Sequence, residues 1–522
     1  MRLDSIEISV EELEQLVEQA GREPLTPEDQ RKLQAAIATL KTITELLTEG
    51  SITIKQLRGL LLVFRTTEKT EKVLGDDAQD ESQTNRTNGR KKGHGRNPAA
   101  KYTSARRVVV KHPTLNPKDR CPICLKGKVY PLEEPRTLVR IRGRPPLEAT
   151  VYELEALRCN LCGEVFTPPP PTEAGEEKYD QTAVSMIALL KYGSGVPFHR
   201  LERLESYLGI PLAASTAWEV VAGAAPLLMP VWEESIRQAA QGEIVHNDDT
   251  SIKILRFVRE AADKRTGLFT SGIVSIYGSH RIALFFTGRQ HAGENLTDLL
   301  SKRNQELGPP IQMCDALSRN PPRSMEVILA NCLAHSRRYF VDLANTFPVE
   351  CRYVLETLRE VFHYDALARQ QGLEPQQRLD YHQQHSKPLM DDLYVWCNQQ
   401  LGERKVEPNS RLGKAIQYLL NHWPELTLFL RQANAPIDNN VVERALKKAI
   451  LNRRNALFFR TQNGARIADL FMSLIYSAEL CGASPFDYLT QLLRHAAEAA
   501  RAPQQWLPWN YRVTMAELNI AA

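Results

Sequence analysis

At 522 residues the chain is longer than one hydrophobic core usually supports, so two to four domains are expected. Hydrophobic residues at 43% and charged residues at 25% describe an ordinary soluble protein. The acidic start MRLDSIEISVEELE has no apolar secretory core, and the most apolar window, Pro211 to Trp232, holds Glu219 and two internal prolines. A cytoplasmic protein with no membrane partner is therefore the default expectation. The net charge of +4 decides little, but its distribution does: Arg86 to Lys111 holds nine Lys or Arg and no acid, and Arg444 to Arg466 holds seven and no acid. Such stretches suit a polyanion, because each phosphate contact releases counterions. The alternative is a solvated face.

Residues 1–75 read as helical. Thr26, Pro27, Glu28 and Asp29 form an N-cap, a first-turn proline and an acidic first turn. Leu33, Ile37, Leu40, Ile43 and Leu47 then recur every three or four residues. So short a helical region either self-associates or docks on the rest of the chain. Residues 76–105 are polar and Gly-containing, a flexible linker whose second half carries Arg90, Lys91, Lys92 and Arg96 as phosphate-binding candidates.

Residues 106–170 contain Cys121-Pro-Ile-Cys124 and Cys159-Asn-Leu-Cys162, with 34 residues between the pairs and a glycine after each (Gly127, Gly163). Four thiolates close a tetrahedral Zn2+ shell, so Cys121, Cys124, Cys159 and Cys162 predict a structural zinc and a small zinc-ribbon-like domain. The other five of the nine cysteines read as small buried hydrophobes, and the odd total argues against a disulfide framework. Prolines 168 to 171 stiffen the exit.

Residues 178–240 read as three helices. The last two, joined at Gly209-Ile210-Pro211, look like a helix-turn-helix, but the second lacks Lys and Arg, so packing is favoured over DNA reading. From Glu243 the period changes to two. EIVHNDDTSIKIL, GLFTSGIVSIYG and RIALFFTG read as consecutive strands, GENLTDLLSKRNQEL as a helix, PPIQMCDAL as a strand, then a short helix and the strand EVILANCLA. Residues 350–435 look largely helical, and the helix containing Glu443 follows.

Asp248 on the first strand, Asp315 at the end of a later strand and Glu443 on the following helix match the arrangement of a ribonuclease-H-like nuclease holding two Mg2+ (or Mn2+). Residue pattern alone leaves other readings open. Asp248 or its neighbour Asp249 is a plain strand acid, Asp315 begins a turn, or Asn440-Val-Val-Glu443 is a capping box. Lys447, one turn on, is an available partner for Glu443.

The stretches HNDDTSIKIL, MCDALSRN, NCLAHSRRYF, IDNNVVERALKKAILNRRNALFF and NGARIADLFMSLI, with KKGHGRNPAAKY and the cysteine pairs upstream, resemble the motif blocks of the insertion-sequence-66 transposase family. The resemblance covers nearly the whole chain. It implies a DDE transposase with Asp248, Asp315 and Glu443 as the metal-holding acids, Asp248 bridging both ions. Its first motif selects Asp248 over Asp249. His335, in a Cys-x-x-His element, is implied either to order a water or touch DNA phosphate, or else to be a core histidine. Arg337, Arg338, Arg444, Lys447, Lys448, Arg453 and Arg454 would line a DNA channel.

The implied architecture is multidomain. A ribonuclease-H-like α/β core (241–349 and 436–500) is split by a helical insertion (350–435) and followed by a C-terminal tail (501–522). The resemblance implies double-stranded DNA, as element ends and target, a homodimer or larger synaptic assembly, and accessory proteins of the same element as partners. A catalytically silent DNA-binding relative and a nuclease without strand transfer are the alternatives.

Overall fold

The computed structural model of the chain describes residues 109, 113–123, 126–130, 145–158, 160, 162, 165–258 and 265–521. The expected N-terminal helices and the basic linker, with Arg90, Lys91, Lys92 and Arg96, lie outside the described residues, as do Cys124 and Cys159.

The cysteine region contains two small hairpins. In the first, Arg120 bridges Lys128 in antiparallel fashion, and the Cys121 amide donates to the Gly127 carbonyl at 2.8 Å. In the second, β1 (Leu157–Arg158) pairs antiparallel with β2 (Val165–Phe166), and Cys162 lies between them in the chain. Cys121 and Cys162 are free thiols.

Helices α1 (Gln181–Ala188), α2 (Phe198–Tyr207) and α3 (Ala214–Ala239) follow. Asp180 caps α1 by accepting from the Ala183 amide at 2.9 Å. Among the described residues, α3 alone is long and apolar enough to cross a membrane. Here it continues through Pro226 and Pro230 and fully buries Ala217, Val221, Leu228 and Val231 in the protein core.

The central sheet follows from the alternating segment. Its strands are β3 (Ile244–Ser251), β5 (Phe269–Tyr277), β6 (His280–Gly288), β7 (Ile311–Cys314) and β8 (Ile328–Asn331), in spatial order β6-β5-β3-β7-β8; the short β4 (Ile254–Arg256) stands outside it. The β3-β5-β6 pairings are antiparallel, while β7 runs parallel to β3 and β8 parallel to β7. Helix α4 (Ala292–Leu300) connects β6 to β7. The short helix expected between β7 and β8 is instead a loop of turns, residues 315–327. Its conformation is set by side chains in the sheet: Asn247 and Gln312 both donate to the Asn320 carbonyl, at 2.9 and 2.8 Å.

After β8 come α5 (Leu333–Val341) and the insertion, formed by α6 (Pro348–Gln370), α7 (Pro375–Gly402), α8 (Arg411–Asn421) and α9 (Trp423–Leu426). Ser410 caps α8 by accepting from the Gly413 amide at 2.9 Å. Inside the insertion, buried Asp365 is held by Arg369, by Arg378 at 2.6 Å and by His382 at 3.3 Å.

Helix α10 (Asn440–Ala456) then returns to the sheet, and β9 (Phe459–Thr461) pairs parallel with β4. Helix α11 (Gln462–Leu480) lies along the edge strand β6. Asp469, Ser473 and Ser477 recur every four residues, on one helical face, and accept from the backbone amides of Thr287, Phe285 and Ala283 at 2.7, 3.0 and 2.9 Å. This ladder satisfies amides that an open sheet edge would leave unpaired.

Helices α12 (Pro485–Arg494), α13 (Ala496–Arg501) and α14 (Tyr511–Ala521) complete the chain. Residues 501–522, expected as a tail, are not one: Trp506, Leu507 and Tyr511 are each 1% exposed. They share one hydrophobic core with α1, α3 and α11, so the 178–240 helices and the C-terminal helices form a common body beside the sheet.

Candidate active site

Pleating divides the two neighbouring acids of β3. Successive side chains point to opposite faces of the sheet, so His246 and Asp248 share one face and Asn247 and Asp249 the other. The second face carries α4. There Asp249 is ion-paired with His291 Nδ1 at 2.9 Å and Arg319 Nη2 at 3.2 Å, and its side chain is 2% exposed. Asp249 is thus engaged by the α4 region, while Asp248 stands on the face covered by α10.

Asp248 and Asp315 come together through strand register. His246 pairs with Met313 in the parallel β3–β7 ladder, and continuing two residues sets Asp248 level with Asp315 just beyond the end of β7. Adjacent strands lie about 4.8 Å apart. Asn320 donates to the Asp315 carboxylate and so ties the following loop to it.

Glu443 reaches the pair from α10, and a glycine permits the approach. Gly272 is the cross-strand partner of Asp248 on β5. A Cβ built there would stand 3.0 Å from Leu446 and 3.3 Å from Val442, both on α10. A side chain there would press on both residues, so glycine eases the close approach of the helix to the sheet. The helix start is held by Asn439, whose Oδ1 meets His246 Nδ1 at 3.0 Å and whose Nδ2 donates to the Asn247 carbonyl at 3.2 Å. Asn439 makes no side-chain cap bond to α10, and the side chain of Glu443 is turned instead toward His335, whose Nε2 lies 3.6 Å from its Oε1.

The electrostatics agree with this clustering. Burial first, and then the charges of Asp315, Asp249 and Glu443, push the Asp248 carboxyl up to about 7, although the Asp249 amide donates to it at 2.8 Å. Burial likewise raises Asp315, against the opposing charges of His335 and Arg319. Burial lowers His246 to about 4, so that it is neutral at pH 7. Glu443 Oε1 and His335 Nδ1 are buried without a hydrogen-bond partner. Two carboxyls that resist ionisation, beside a third with an unsatisfied oxygen, are groups that could hold a hard divalent cation.

Ligand atoms of Cys332, His335 and Glu443 also lie within 4.8 Å of one another. Burial pushes the Cys332 thiol up to about 12, and its sulfur accepts from the Asn439 amide at 3.3 Å. The three form a candidate metal-binding group, in which His335 Nε2 lies 3.6 Å from Glu443 Oε1.

The basic residues divide in two. Arg338, Arg444, Lys447 and Arg454 are exposed and Arg337 is half-buried. Lys448 pairs with Glu479 at 2.8 Å, and Arg453 donates to Thr250 Oγ1 at 2.9 Å and Ser251 Oγ at 3.1 Å, clasping the end of β3. Sequence reasoning missed Gly272, Asn320 and Asn439, which position the acids without being acids. It also missed Tyr418 of the insertion, which meets the Ala316 backbone and whose hydroxyl is raised by burial and by the nearby charges of Tyr339 and Asp315.

Comparison with known proteins adds to this picture. The family model described as Transposase IS66 family matches residues 177–467. The chain is 27% identical over 442 residues to the uncharacterized protein y4hP of Sinorhizobium fredii (strain NBRC 101917 / NGR234), covering 80% of this chain and 77% of that protein. Two further uncharacterized proteins of the same strain are similar. With y4jD it shares 33% identity over 38% of this chain and 39% of the relative, and with y4qI 25% identity over 63% and 62%.

Proposed function

From the premise that the chain belongs to the transposase IS66 family, we propose that it is a DDE transposase that cuts DNA at the ends of its element and joins those ends to target DNA. The observation that carries this reading is that Asp248 and Asp315 stand level on neighbouring strands beneath α10 and that the charges of Asp315 and Glu443 both raise the Asp248 carboxyl. The spatial strand order, third-second-first-fourth-fifth in the chain order of the sheet strands, supports a ribonuclease-H-like core.

Asp248, Asp315 and Glu443 would be the residues that hold the Mg2+ or Mn2+ ions this reading requires. Bound there, the ions supply charge that activates the attacking oxygen and stabilises the leaving one. The chain's own residues set the geometry. Asn320 holds Asp315, Asn439 holds the start of α10, and His335 orients Glu443. In cleavage, water attacks the phosphodiester in line and the 3′ oxygen departs with a proton. In strand transfer, that 3′ hydroxyl attacks a target phosphodiester, and the target's own 3′ oxygen leaves. The two steps have the same stereochemical demands, so one site serves both.

Exposed Arg338, Arg444 and Lys447, with Arg454 farther along α10, suit DNA phosphates. Free Cys121 and Cys162, each associated with a small hairpin, support a structural zinc held with Cys124 and Cys159. A homodimer or larger assembly on two element ends, aided by accessory proteins, completes the proposal. Incubation of the purified chain with labelled element ends, target DNA and Mg2+ tests it: end-joined product is expected. Cleavage without joining would identify a plain nuclease, and binding alone a silent DNA-binding protein.

A further inference from the structure

A second cleft, of about 890 Å³, lies at the far end of α10 from Glu443. One wall is built by the starts of α2 and α3, the other by the turn from α10 into β9 and the first turn of α11. Its charge is one-sided. Lys191, His199, Arg200, Arg256 and Arg460 line it, and among the described residues no acid does. Its apolar surface is aromatic: Phe198 and Trp218 pack edge to face with centroids 6.4 Å apart, Tyr192 lies behind Phe198, and Phe458 closes the opposite lip. Lys191 is 94% buried beneath them, donating to Asn452 at 2.7 Å with its ammonium over the rings of Tyr192 and Phe198.

The lip is unusual. Leu457 has φ of +66°, a left-handed backbone that costs a branched side chain, and yet its side chain is 66% exposed. Phe458, next in the chain, is 38% exposed. A strained turn that holds two adjacent apolar side chains toward solvent is the shape of a wedge, and apolar wedges of this kind unstack neighbouring base pairs.

We propose that this cleft receives one unpaired nucleotide of a DNA strand. Its base lies against Phe198 and Trp218, its flanking phosphates meet Arg200 and Arg460, and Leu457 and Phe458 hold open the gap in the stack. The site rests on the reading of the chain as a DNA-processing enzyme. Every base has an apolar face that an aromatic ring can cover, and every nucleotide brings a phosphate, so the paired aromatic and cationic walls match a nucleotide irrespective of sequence. The volume is within the roughly 300–1,000 Å³ of sites that enclose small ligands. The first amides of α3 add to the anion preference, since its N-cap, Ala213, has no side-chain cap. The chain's own basic stretch, nine Lys or Arg between 86 and 111 without an acid, is repelled by the same charges and is the wrong occupant.

Position gives the site a use. Asn455 in the cleft and Glu443 at the acids are twelve residues apart on one helix, about 18 Å at 1.5 Å per residue. That equals about five base steps of duplex at 3.4 Å each. An extrahelical nucleotide held here fixes the register of the strand whose phosphodiester reaches the acids.

The test uses the full chain and a short fluorescein-labelled duplex, either fully paired or with one bulged 2-aminopurine. The bulged duplex is expected to bind about tenfold tighter, with a change in 2-aminopurine emission as the base meets the aromatic wall. The double variant R200A/R460A and the single variant Phe458→Ala alter exposed side chains, so folding is kept. Both are expected to lose the gain from the bulge while binding the paired duplex within a few-fold of the parent. Equal affinity for both duplexes, or a gain that persists in both variants, overturns the nucleotide site and leaves the transposase reading standing. Absence of any duplex binding by the parent chain overturns the transposase reading, and this site with it.

Discussion

Replacing Asp248 by Asn removes a charge that the folded chain holds at a cost. Burial, and next the charge of Asp315, move this carboxyl from its usual 3.8 up to about 7. Between those two pH values the folded chain keeps a proton that the unfolded chain releases. Stability in the absence of metal therefore falls as pH rises from about 4 to about 7 and is level above that. The full displacement corresponds to roughly 4 kcal/mol, and residual solvent contact reduces the effective figure to about 2 kcal/mol. Asn conserves the volume and an oxygen to accept the Asp249 amide, which now donates at 2.8 Å. In EDTA at pH 8, D248N is expected to be more stable than the parent by about 2 kcal/mol, or about 3 °C in Tm for a cooperative unit of roughly 340 residues. Near pH 4 the two should coincide. Added Mg2+ should raise the Tm of the parent and leave that of D248N nearly unchanged, because only the parent keeps all three acids. Scanning calorimetry at the two pH values, with and without Mg2+, reads all of this. A variant that melts at or below the parent at pH 8 in EDTA would refute the reasoning, since it would mean that burial and the neighbouring carboxylates do not raise Asp248.

Three other outcomes follow from the contacts. Asp249→Asn breaks the pairs with His291 and Arg319 and should cost about 1–3 kcal/mol. Titration with Mn2+ should nonetheless show parental affinity, which would be lost in D248N. Asp365→Asn leaves the buried side of Arg378 without its counter-charge and should destabilise the insertion by about 3 kcal/mol in urea unfolding. Burial alone would raise the Asp365 carboxyl, but the His382 hydrogen bond and the Arg378 and Arg369 charges outweigh it and hold it below the usual range. The penalty should thus be constant from pH 5 to 8 and shrink only below about pH 4. Elemental analysis should find one zinc per chain, and C121S or C162S should lose it and make residues 113–170 protease-sensitive. Full zinc retention in either variant would remove the four-thiolate site.

The core strands were legible in the sequence because β3, β5 and β6 are short runs rich in β-branched and aromatic residues, buried on both faces, and Asp315 was legible because a short apolar run stops at it. The choice between Asp248 and Asp249 was not, since two adjacent acids satisfy the same pattern and only the pleat assigns a face. The loop of residues 315–327 looked helical because its turns are stabilised by Asn247, Gln312 and Asn320, contacts that join distant parts of the chain. The role of Gly272 was hidden because a glycine in a strand says nothing about which helix needs the space. Asp469, Ser473 and Ser477 had the visible spacing of one helical face, but their partners are amides of an edge strand nearly two hundred residues earlier. The C-terminal aromatics offered a signal that was available and passed over: Trp506, Trp509 and Tyr511 are too much apolar area for a solvated tail.

The claim that one site of three acids performs both reactions is tested most directly by strand transfer with pre-cleaved, labelled element ends in Mg2+, comparing the parent with D248N, D315N and E443Q. Each variant is expected to bind the ends as the parent does and to lose joining and cleavage together by at least about a hundredfold. A variant of any of the three that joins ends at the parental rate would contradict the account.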